Sequence, residues 1–596
     1  MKGAAWGAAL LVSALAILPF LPTLGGQFLN WDDGINFVTN PGFRGLGWAQ
    51  LRWMATTTLL GHWVPLTWLS LGVNYALGGL NPWGYHLGNL LLHAANAALF
   101  YVVARRLLSA AWGPATPEPA LVGGAVFAAL IFAVHPLRVE SVAWITERRD
   151  LLSGFFFLLA VWAYLRAVWD APAPRPGWRA LSLAAFAAAL LSKASTLMLP
   201  AVLLLLDVYP LGRRARGLRA LVSEKVAYVA LAALAAISAL VALRTGWAMT
   251  SYGDVGLPGR LALMTYSFTF YPWSWLWPVG LSPMYELPVA VHPLAWRFLV
   301  PLAAFPAITV ALIALRRHWP AGLAAWVYSA LMVLPVSGAA HAGFQMAADR
   351  YSYLSGLGFA LLVGGALVLL QRAADSGRLR RGLAAALMAT AVLVVVVLGA
   401  GTWRQSRVWQ DSETLWRWAV GVDPECALCH NNLGSALAVG VPSSPIAVAE
   451  AETHFRRAIA LRPERDEPYN NLGGTLALQG RLDESGAAFR EFLNRRPNIG
   501  SASAALGSIY LRQGRFGEAI PLLRRSLSLN PRLDGARKDL TLALDGQAEA
   551  SRRQGDAAEA ERLHREATAL RGETPAGPGP VEIGRASCRE RVFGYV

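Results

Sequence analysis

Two carboxylates stand side by side in Asn30-Trp31-Asp32-Asp33-Gly34, on the loop that follows the first apolar stretch. Adjacent acids suit a general base, because neighbouring negative charge and partial desolvation raise the proton affinity of one of them. An Asx-turn at a helix end uses the same residues without chemistry. A second loop reads His135-Pro136-Leu137-Arg138-Val139-Glu140 and then Glu147-Arg148-Arg149-Asp150, with six charged groups in the 13 residues from Arg138 to Asp150. Forked guanidinium donors there fit a phosphate. His86, Asn89, His93 and Asn96 fall at i, i+3, i+7 and i+10, on one helical face. That face either lines a headgroup pocket or glues helices together by hydrogen bonds. Lys193, at a turn between two apolar segments, and Asp349-Arg350-Tyr351-Ser352-Tyr353 add further ionic groups. Carboxylates that deprotonate an acceptor hydroxyl, with cations that hold a lipid phosphate, make a transferase. No metal-ligand set is assigned, and metal dependence stays open.

These residues need helices across a membrane to hold them. The 596 residues are 55% hydrophobic and 15% charged, whereas soluble domains carry about 25% charged residues; a single water-soluble domain is excluded. Up to Thr402 there are 27 Lys+Arg against 13 Asp+Glu, and from Trp403 onward 26 against 24. An apolar, basic domain over 1–402 therefore precedes a charge-balanced domain over 403–571. The net +16 does not point to nucleic acid, since the soluble part has no basic cluster with interleaved aromatics. Only four of the 53 basic residues are Lys, an Arg bias typical of GC-rich bacterial genomes.

Apolar stretches predict an all-α, polytopic membrane bundle of about eleven spans, near 4–24, 85–107, 120–135, 151–168, 179–193, 195–210, 225–243, 298–315, 321–337, 351–371 and 383–402. The first is read as an uncleaved span. Gly259–Val279 is apolar too, but its Trp and Pro residues favour an interfacial or re-entrant segment. Eleven spans put 17 of the 27 basic residues on one side, which the positive-inside rule makes cytoplasmic. The N-terminus is then cytoplasmic, and the last third lies outside the cell membrane together with the carboxylates and the Arg-rich loop.

The last third repeats itself. Leu472-Gly473 recurs as Leu506-Gly507 after 34 residues, as do Pro463, Pro497 and Pro531. Leu433-Gly434 and Pro424 lie 39 residues upstream of their counterparts, the excess matching an insertion at Val441–Pro445. This is the tetratricopeptide pattern: helix pairs that stack into an α-solenoid with a concave groove for a peptide or protein partner. Trp409–Val422 reads as a capping helix and Leu533–Leu570 as a degenerate last unit.

Trp31-Asp32-Asp33, His135-Pro136, Glu140, Arg148, Asp150-Leu151-Leu152, Lys193, Arg350 and Tyr353 resemble, in this order and over about residues 4–570, the transmembrane and tetratricopeptide-repeat family of protein O-mannosyltransferases. The resemblance implies a GT-C-type membrane fold. It also implies a dolichyl- or undecaprenyl-phosphate sugar as donor, a Ser or Thr hydroxyl as acceptor, and inversion at the sugar. Either Asp32 or Asp33 is then the base, with a slight preference for Asp33, and Glu140 assists. Arg148, Lys193 and Arg350 neutralise the leaving phosphate, with His135, Arg138 and Tyr353 at the headgroup. Ala194 stands where relatives often have Glu, which leaves the role of Lys193 open.

Three other readings compete. One is a non-catalytic, membrane-anchored repeat scaffold for envelope assembly, and another is an oligosaccharyltransferase or ligase that uses a diphosphate-linked glycan. The third is haem c, because Cys426-Ala427-Leu428-Cys429-His430 has the C-x-x-C-H attachment spacing. Against haem, His430 opens a repeat helix, so a local disulfide or two free thiols are preferred there. Residues 572–596 read as a disordered tail, and Glu582–Val592, Cys588 included, as adapter-derived sequence excluded from function.

Overall fold

The computed structural model describes residues 2–169, 175–245, 252–339, 344–439 and 444–572. The tail and the 582–592 segment lie outside these residues. The chain forms two compact units, Met1–Leu415 and Trp416–Val596. The helix Arg381–Val408 runs through the boundary expected at 402.

The first unit is helical. Among the described residues, seven helices are long and apolar enough to cross a membrane: Trp6–Gly25, Pro82–Trp112, Ile145–Val168, Val226–Leu243, Trp296–Arg317, Leu357–Asp375 and Arg381–Val408. Glu118–Ala133 and Pro136–Ala143 form an eighth candidate, bent by 57° where His135-Pro136 interrupts it. The expected spans at 179–193, 195–210 and 321–337 are helices, Pro176–Ser192, Ala194–Val208 and Pro320–Val336, but short ones. The first two are cut apart at Lys193, whose backbone is extended (φ −161°, ψ 124°). The segment read as interfacial is a helix, Tyr252–Leu276, kinked at Gly256 and with Pro258 and Pro272 inside it. Val229, Leu234, Ile237 and Leu240 on one helix and Leu383, Val392 and Val396 on another stay exposed, as surfaces that face lipid do.

The loop after the first span is structured too. Trp48–Thr56 and Pro65–Gly78 are helices, and Phe37, Phe43, Met54, Trp68, Leu71 and Tyr85 pack into a core beneath them. Two short strands, Tyr285–Glu286 and Gln345–Ala347, pair antiparallel and lead into the turn Asp349–Tyr351.

The second unit contains the helix pairs Ala427–Val439 with Pro445–Leu461, Glu467–Leu478 with Leu482–Arg495, Gly500–Arg512 with Phe516–Leu529, and Asp534–Arg553 with Ala557–Gly572. The repeated glycines sit where pairs touch. A Cβ at Gly434 would lie 2.7 Å from the Phe455 ring, at Gly473 2.9 Å from Phe489, and at Gly507 2.7 Å from Leu523. Part of the expected insertion, 441–443, lies outside the described residues, and Ser444 caps the helix that follows it. Cys426 and Cys429 are joined to each other in a disulfide. His430 Nδ1 lies 2.8 Å from His454 Nδ1, and its Nε2 lies 3.1 Å from the Pro424 carbonyl.

One close approach positions the candidate site. Glu118–Ala133, which leads to Glu140, meets Leu357–Asp375, which follows Arg350, at Gly124 and Gly364. A Cβ on Gly124 would lie 2.6 Å from the Gly364 carbonyl, whereas one on Gly123 meets only the end of Gln371, at 3.8 Å. Gly124→Ala should therefore destabilise the first unit by about 1–3 kcal/mol through overpacking. Gly123→Ala should stay within about 0.5 kcal/mol of wild type. Thermal unfolding of the detergent-solubilised protein measures both.

Candidate active site

Glu140 and Arg350 are the centre of the ionic cluster. Val139–Ala143 is a single helical turn after the His135-Pro136 break, and it aims the Glu140 carboxylate at the Asp349–Tyr351 turn. The Arg350 backbone N–H donates to Glu140 Oε2 at 2.7 Å, and the Arg350 guanidinium donates to Glu140 Oε1. The same guanidinium lies over the rings of Trp144, at 5.4 Å, and Tyr351, at 5.0 Å. Its Nε is 3.4 Å from Glu147 Oε1. Glu147 accepts from Arg149 at 2.6 Å and from Lys193 at 2.8 Å, and Lys193 donates at 2.6 Å to Asp150. A continuous chain of alternating charge thus runs from Glu140 to Asp150. Lys193 reaches it because the extended residue between two short helices turns its side chain toward the start of Arg148–Val168.

The two adjacent aspartates part company. Asp33 is fully buried, with both oxygens engaged: Leu29 N–H donates to one at 3.0 Å, and Thr146 donates to the other through its hydroxyl, at 2.6 Å, and its backbone N–H, at 3.3 Å. Burial outweighs these donors and pushes its carboxyl up to about 7. Asp32 is partly exposed. Desolvation raises its pKa, while the charges of Arg149 and Arg350 pull it back. Asp32 therefore faces the cations as an accessible carboxylate, and Asp33 ties the first loop to the second. This favours Asp32 over Asp33 as base, since Asp33 is fully buried and three of its roughly four acceptor positions are taken by protein donors.

Several expected phosphate ligands have structural work instead. Arg148 donates from Nε to Asn89 and from Nη2 to the Tyr85 carbonyl, at 2.8 Å, so it clamps Pro82–Trp112 to its own helix. Its neighbour Arg149 joins the ionic chain in its place. Tyr353 shares its hydroxyl with His93 and Asn96, each at 2.9 Å. Asn89 also donates to the Val142 and Trp144 carbonyls, at 3.1 and 3.3 Å. His93, Asn89 and Asn96 are thus the glue between helices, not a headgroup lining, and His86 packs against Gly26. His135 accepts from Leu137 N–H at 3.2 Å and donates to the Trp275 carbonyl at 3.0 Å, holding the chain break in place. Arg138 is fully buried, and its guanidinium has no hydrogen-bond partner among the described residues. It lies over Phe132 and Tyr353, at 5.4 and 5.8 Å. Those orphaned donors keep it a candidate for an anion.

Beyond this cluster, an apolar cavity of about 530 Å³ is walled by Phe100, Leu107, Phe157, Tyr328, Leu357 and Leu361. Among the described residues no group of three or more His, Cys, Asp or Glu side chains is placed to hold a metal ion.

Residues 448–498 and 498–573 each match a tetratricopeptide repeat model. The chain is 38% identical over 168 residues to protein O-mannosyl-transferase tmtc2 of Xenopus laevis, a match covering 27% of this chain and 18% of that relative. It is 26% identical over 496 residues to protein O-mannosyl-transferase TMTC1 of Homo sapiens, covering 72% and 53%. The chain is similar to protein O-mannosyl-transferases. Its matches span less than two thirds of the length of either relative. Among solved structures, ArnT from Cupriavidus metallidurans bound to undecaprenyl phosphate aligns over 79% of this chain and 80% of that one, at 19% identity and a TM-score of 0.36.

Glu147, Arg149 and His62 belong to the cluster without having been singled out as site residues. Arg149 is marked only by helical phase, one position from Arg148. His62 is an isolated histidine in a long loop, and no spacing marks it.

The opposite roles of the aspartates can be tested by stability. An amide at 33 sets an N–H against one of its donors, so Asp33→Asn should lose about 1–3 kcal/mol, and Asp32→Asn should unfold like wild type. The pH dependence follows from the sign of the shift. A carboxyl at about 7 in the folded chain, against about 3.9 when unfolded, takes up a proton on folding between these values. Its contribution is complete below about 3.9, is lost by about 1.4 kcal/mol per unit as pH rises from there toward 7, and changes no further above 7. Between pH 5 and 7 the thermal midpoint of wild type should fall more steeply with rising pH than that of Asp33→Asn, and above 7 the two should run parallel.

Proposed function

We propose that this protein is a membrane glycosyltransferase that moves a sugar from a polyprenyl-phosphate carrier to an acceptor hydroxyl, that of a protein Ser or Thr. The observation that carries the proposal is the partly exposed Asp32 carboxylate facing Arg149 and Arg350 at the end of a buried chain of ion pairs. Asp32 takes the proton of the acceptor hydroxyl as its oxygen bonds to the anomeric carbon. The bond from that carbon to the phosphate oxygen breaks, and the electron pair leaves with the carrier phosphate. Attack opposite the leaving group inverts the configuration. Arg149, Lys193 and Arg350 offset the charge that gathers on the phosphate, and the unpartnered Arg138 is available to the same anion. The apolar cavity suits part of the polyprenyl chain.

Helix direction supports a site on the extracytoplasmic face of a bacterial inner membrane. Arg148 stands at the cluster, and Arg166, on the same helix, lies ~27 Å away at 1.5 Å per residue, close to the ~30 Å of the hydrocarbon core. Arg105 and Arg106 lie in the distal part of Pro82–Trp112, and Arg372 in the last turn of Leu357–Asp375, on helices that begin near the cluster, as the positive-inside rule asks of the cytoplasmic side. The repeats bind the acceptor protein in this reading.

The repeats suit a non-catalytic scaffold equally well; the buried ionic chain does not, because a scaffold has no use for it. The test is transfer from undecaprenyl-phosphate mannose, and from its diphosphate counterpart, to a Ser/Thr-rich peptide by purified protein. Transfer from the monophosphate is expected, with Asp32→Asn slower by about 10²–10⁴-fold, as for loss of a general base. Full activity in Asp32→Asn overturns the mechanism, and transfer from the diphosphate alone overturns the donor.

A further inference from the structure

Next to the ionic cluster is a cleft with an unusual set of walls. It is small, about 20 Å³, and is lined by Asn36, His62, Thr67, Trp68, Thr146 and Arg149, among others. A space of this size accepts a single water-sized group, since ~10–15 Å³ suffices for one. Thr146 also holds Asp33, and Arg149 belongs to the ionic chain, so the cleft is continuous with the candidate site.

Two of its walls have hydrogen-bonding capacity in hand. Trp68 is only 4% exposed, and its indole N–H has no partner among the described residues. A buried donor left unpaired is uncommon and calls for an explanation. His62 supplies the complementary group. Its imidazole is open to solvent on one side and stands in the field of Arg149, Lys193, Glu147 and Arg350. Partial desolvation in the cleft and the charges of Arg149 and Lys193 hold its pKa below the usual histidine value. It is thus neutral, with one ring nitrogen to accept a hydrogen bond.

The backbone that carries His62 is held in an uncommon conformation. Leu60 has φ 52°, the only positive φ at a non-glycine among the described residues, and Gly61 follows at φ 74°. A left-handed Leu is strained and persists only where its surroundings impose it. The turn presses against the Val226–Thr245 helix, where a Cβ on Gly61 would lie 3.6 Å from the Ala242 carbonyl, and it delivers His62 to the cleft.

An indole N–H that can only donate and an imidazole nitrogen that can accept, around room for one small group, fit a hydroxyl: it accepts from the first and donates to the second. We propose that this cleft binds one hydroxyl of the sugar being transferred, with His62 and Trp68 as specificity-determining residues. The inference rests on the glycosyltransferase reading and adds to it a sugar subsite. The acceptor is the other source of hydroxyls, but its reacting oxygen must meet Asp32. The cleft has to take a hydroxyl that does not react, and a hexose carries several around its ring.

The experiment is equilibrium binding to the full chain in nanodiscs. The probes are undecaprenyl phosphate and its mannosyl, glucosyl and galactosyl derivatives. Wild type should bind at least one sugar-bearing carrier more tightly than the bare carrier. His62→Phe, on an exposed turn, should weaken that carrier about 5–30-fold, as loss of a hydrogen bond in a desolvated site does, and change the bare carrier less than twofold. His62→Asn should recover part of the loss, and the effect should be constant from pH 6 to 8. The inference is overturned if wild type shows no preference for any sugar over the bare carrier. It is also overturned if His62→Phe weakens both carriers alike or neither, as when the cleft holds only water. A rise in acceptor-peptide KM with sugar binding unchanged overturns it as well. Because binding needs no turnover, full transfer by Asp32→Asn would remove the catalytic reading and leave the sugar subsite standing.

Discussion

The contact between Glu140 and Arg350 joins segments 210 residues apart, and the geometry of the candidate site depends on it. Two charges taken out of water cost several kcal/mol each, and their attraction repays this only when the geometry is close and the remaining donors are satisfied. The geometry is close, and the donors are satisfied except Arg350 Nε, which has no hydrogen-bond partner among the described residues and lies 3.4 Å from Glu147. Glu140 receives the backbone N–H of Arg350 as well as its guanidinium, so the pair fixes a turn of main chain as well as a side chain. From that turn Arg350 reaches Glu147, and Glu147 in turn holds Arg149 and Lys193. Loss of Glu140 would release a sequence of placements, not a single carboxylate.

Such a pair needs walls that approach closely and keep water out. The crossing at Gly124 and Gly364 brings the two carrying helices to a separation no larger residue allows. Trp31 stacks on Trp144 at 4.6 Å, and Trp144 in turn lies against the Arg350 guanidinium. These rings roof the cluster with apolar surface, where each charge interaction counts for more than it would in water. The same hydrogen-bonded glue that displaced His93, Asn96 and Tyr353 from the expected ligand set holds the bundle rigid around it. Helix packing and site electrostatics are therefore one design: the residues that bind helices together are what permits the others to stay charged.

Hydropathy and repeat period were sufficient to read the overall plan. Windows of apolar residues locate the membrane helices, and the 34-residue recurrence of Leu-Gly and Pro locates the helix pairs, because both signals are summed over many positions. The turn at Lys193 was legible between two apolar stretches, but its partners Glu147 and Asp150 were not, because they lie on another segment of the chain. At the site, residue type was legible and facing was not. Arg148 and Arg149 are the same residue one step apart, about 100° around a helix at 3.6 residues per turn, and only Asn89 on another helix determines which of them is tied away. Asp32 and Asp33 are likewise identical in sequence and are distinguished by Thr146, from a loop more than a hundred residues later. His62 had no pattern to betray it: its placement depends on a left-handed Leu, which sequence gives no reason to expect.

The balance of charge explains how a site this closely paired can serve a reaction that moves charge. In the ionic chain Arg149, Lys193 and Arg350 face Glu140, Glu147 and Asp150, so the chain is formally neutral without substrate. In the proposed reaction the base begins negative and ends neutral, while the carrier phosphate gains the charge that the base gives up. The total does not change; a unit of negative charge passes from Asp32 to the phosphate. What is required of the protein is then not a surplus of cations but cations fixed between the two positions, able to attract the charge at either end. Arg149 and Arg350 both act on Asp32 and are held from behind by Glu147 and Glu140. A preorganised neutral network of this kind stabilises charge in transit without rearranging, which is the reason to hold three cations with three buried carboxylates rather than leave them free.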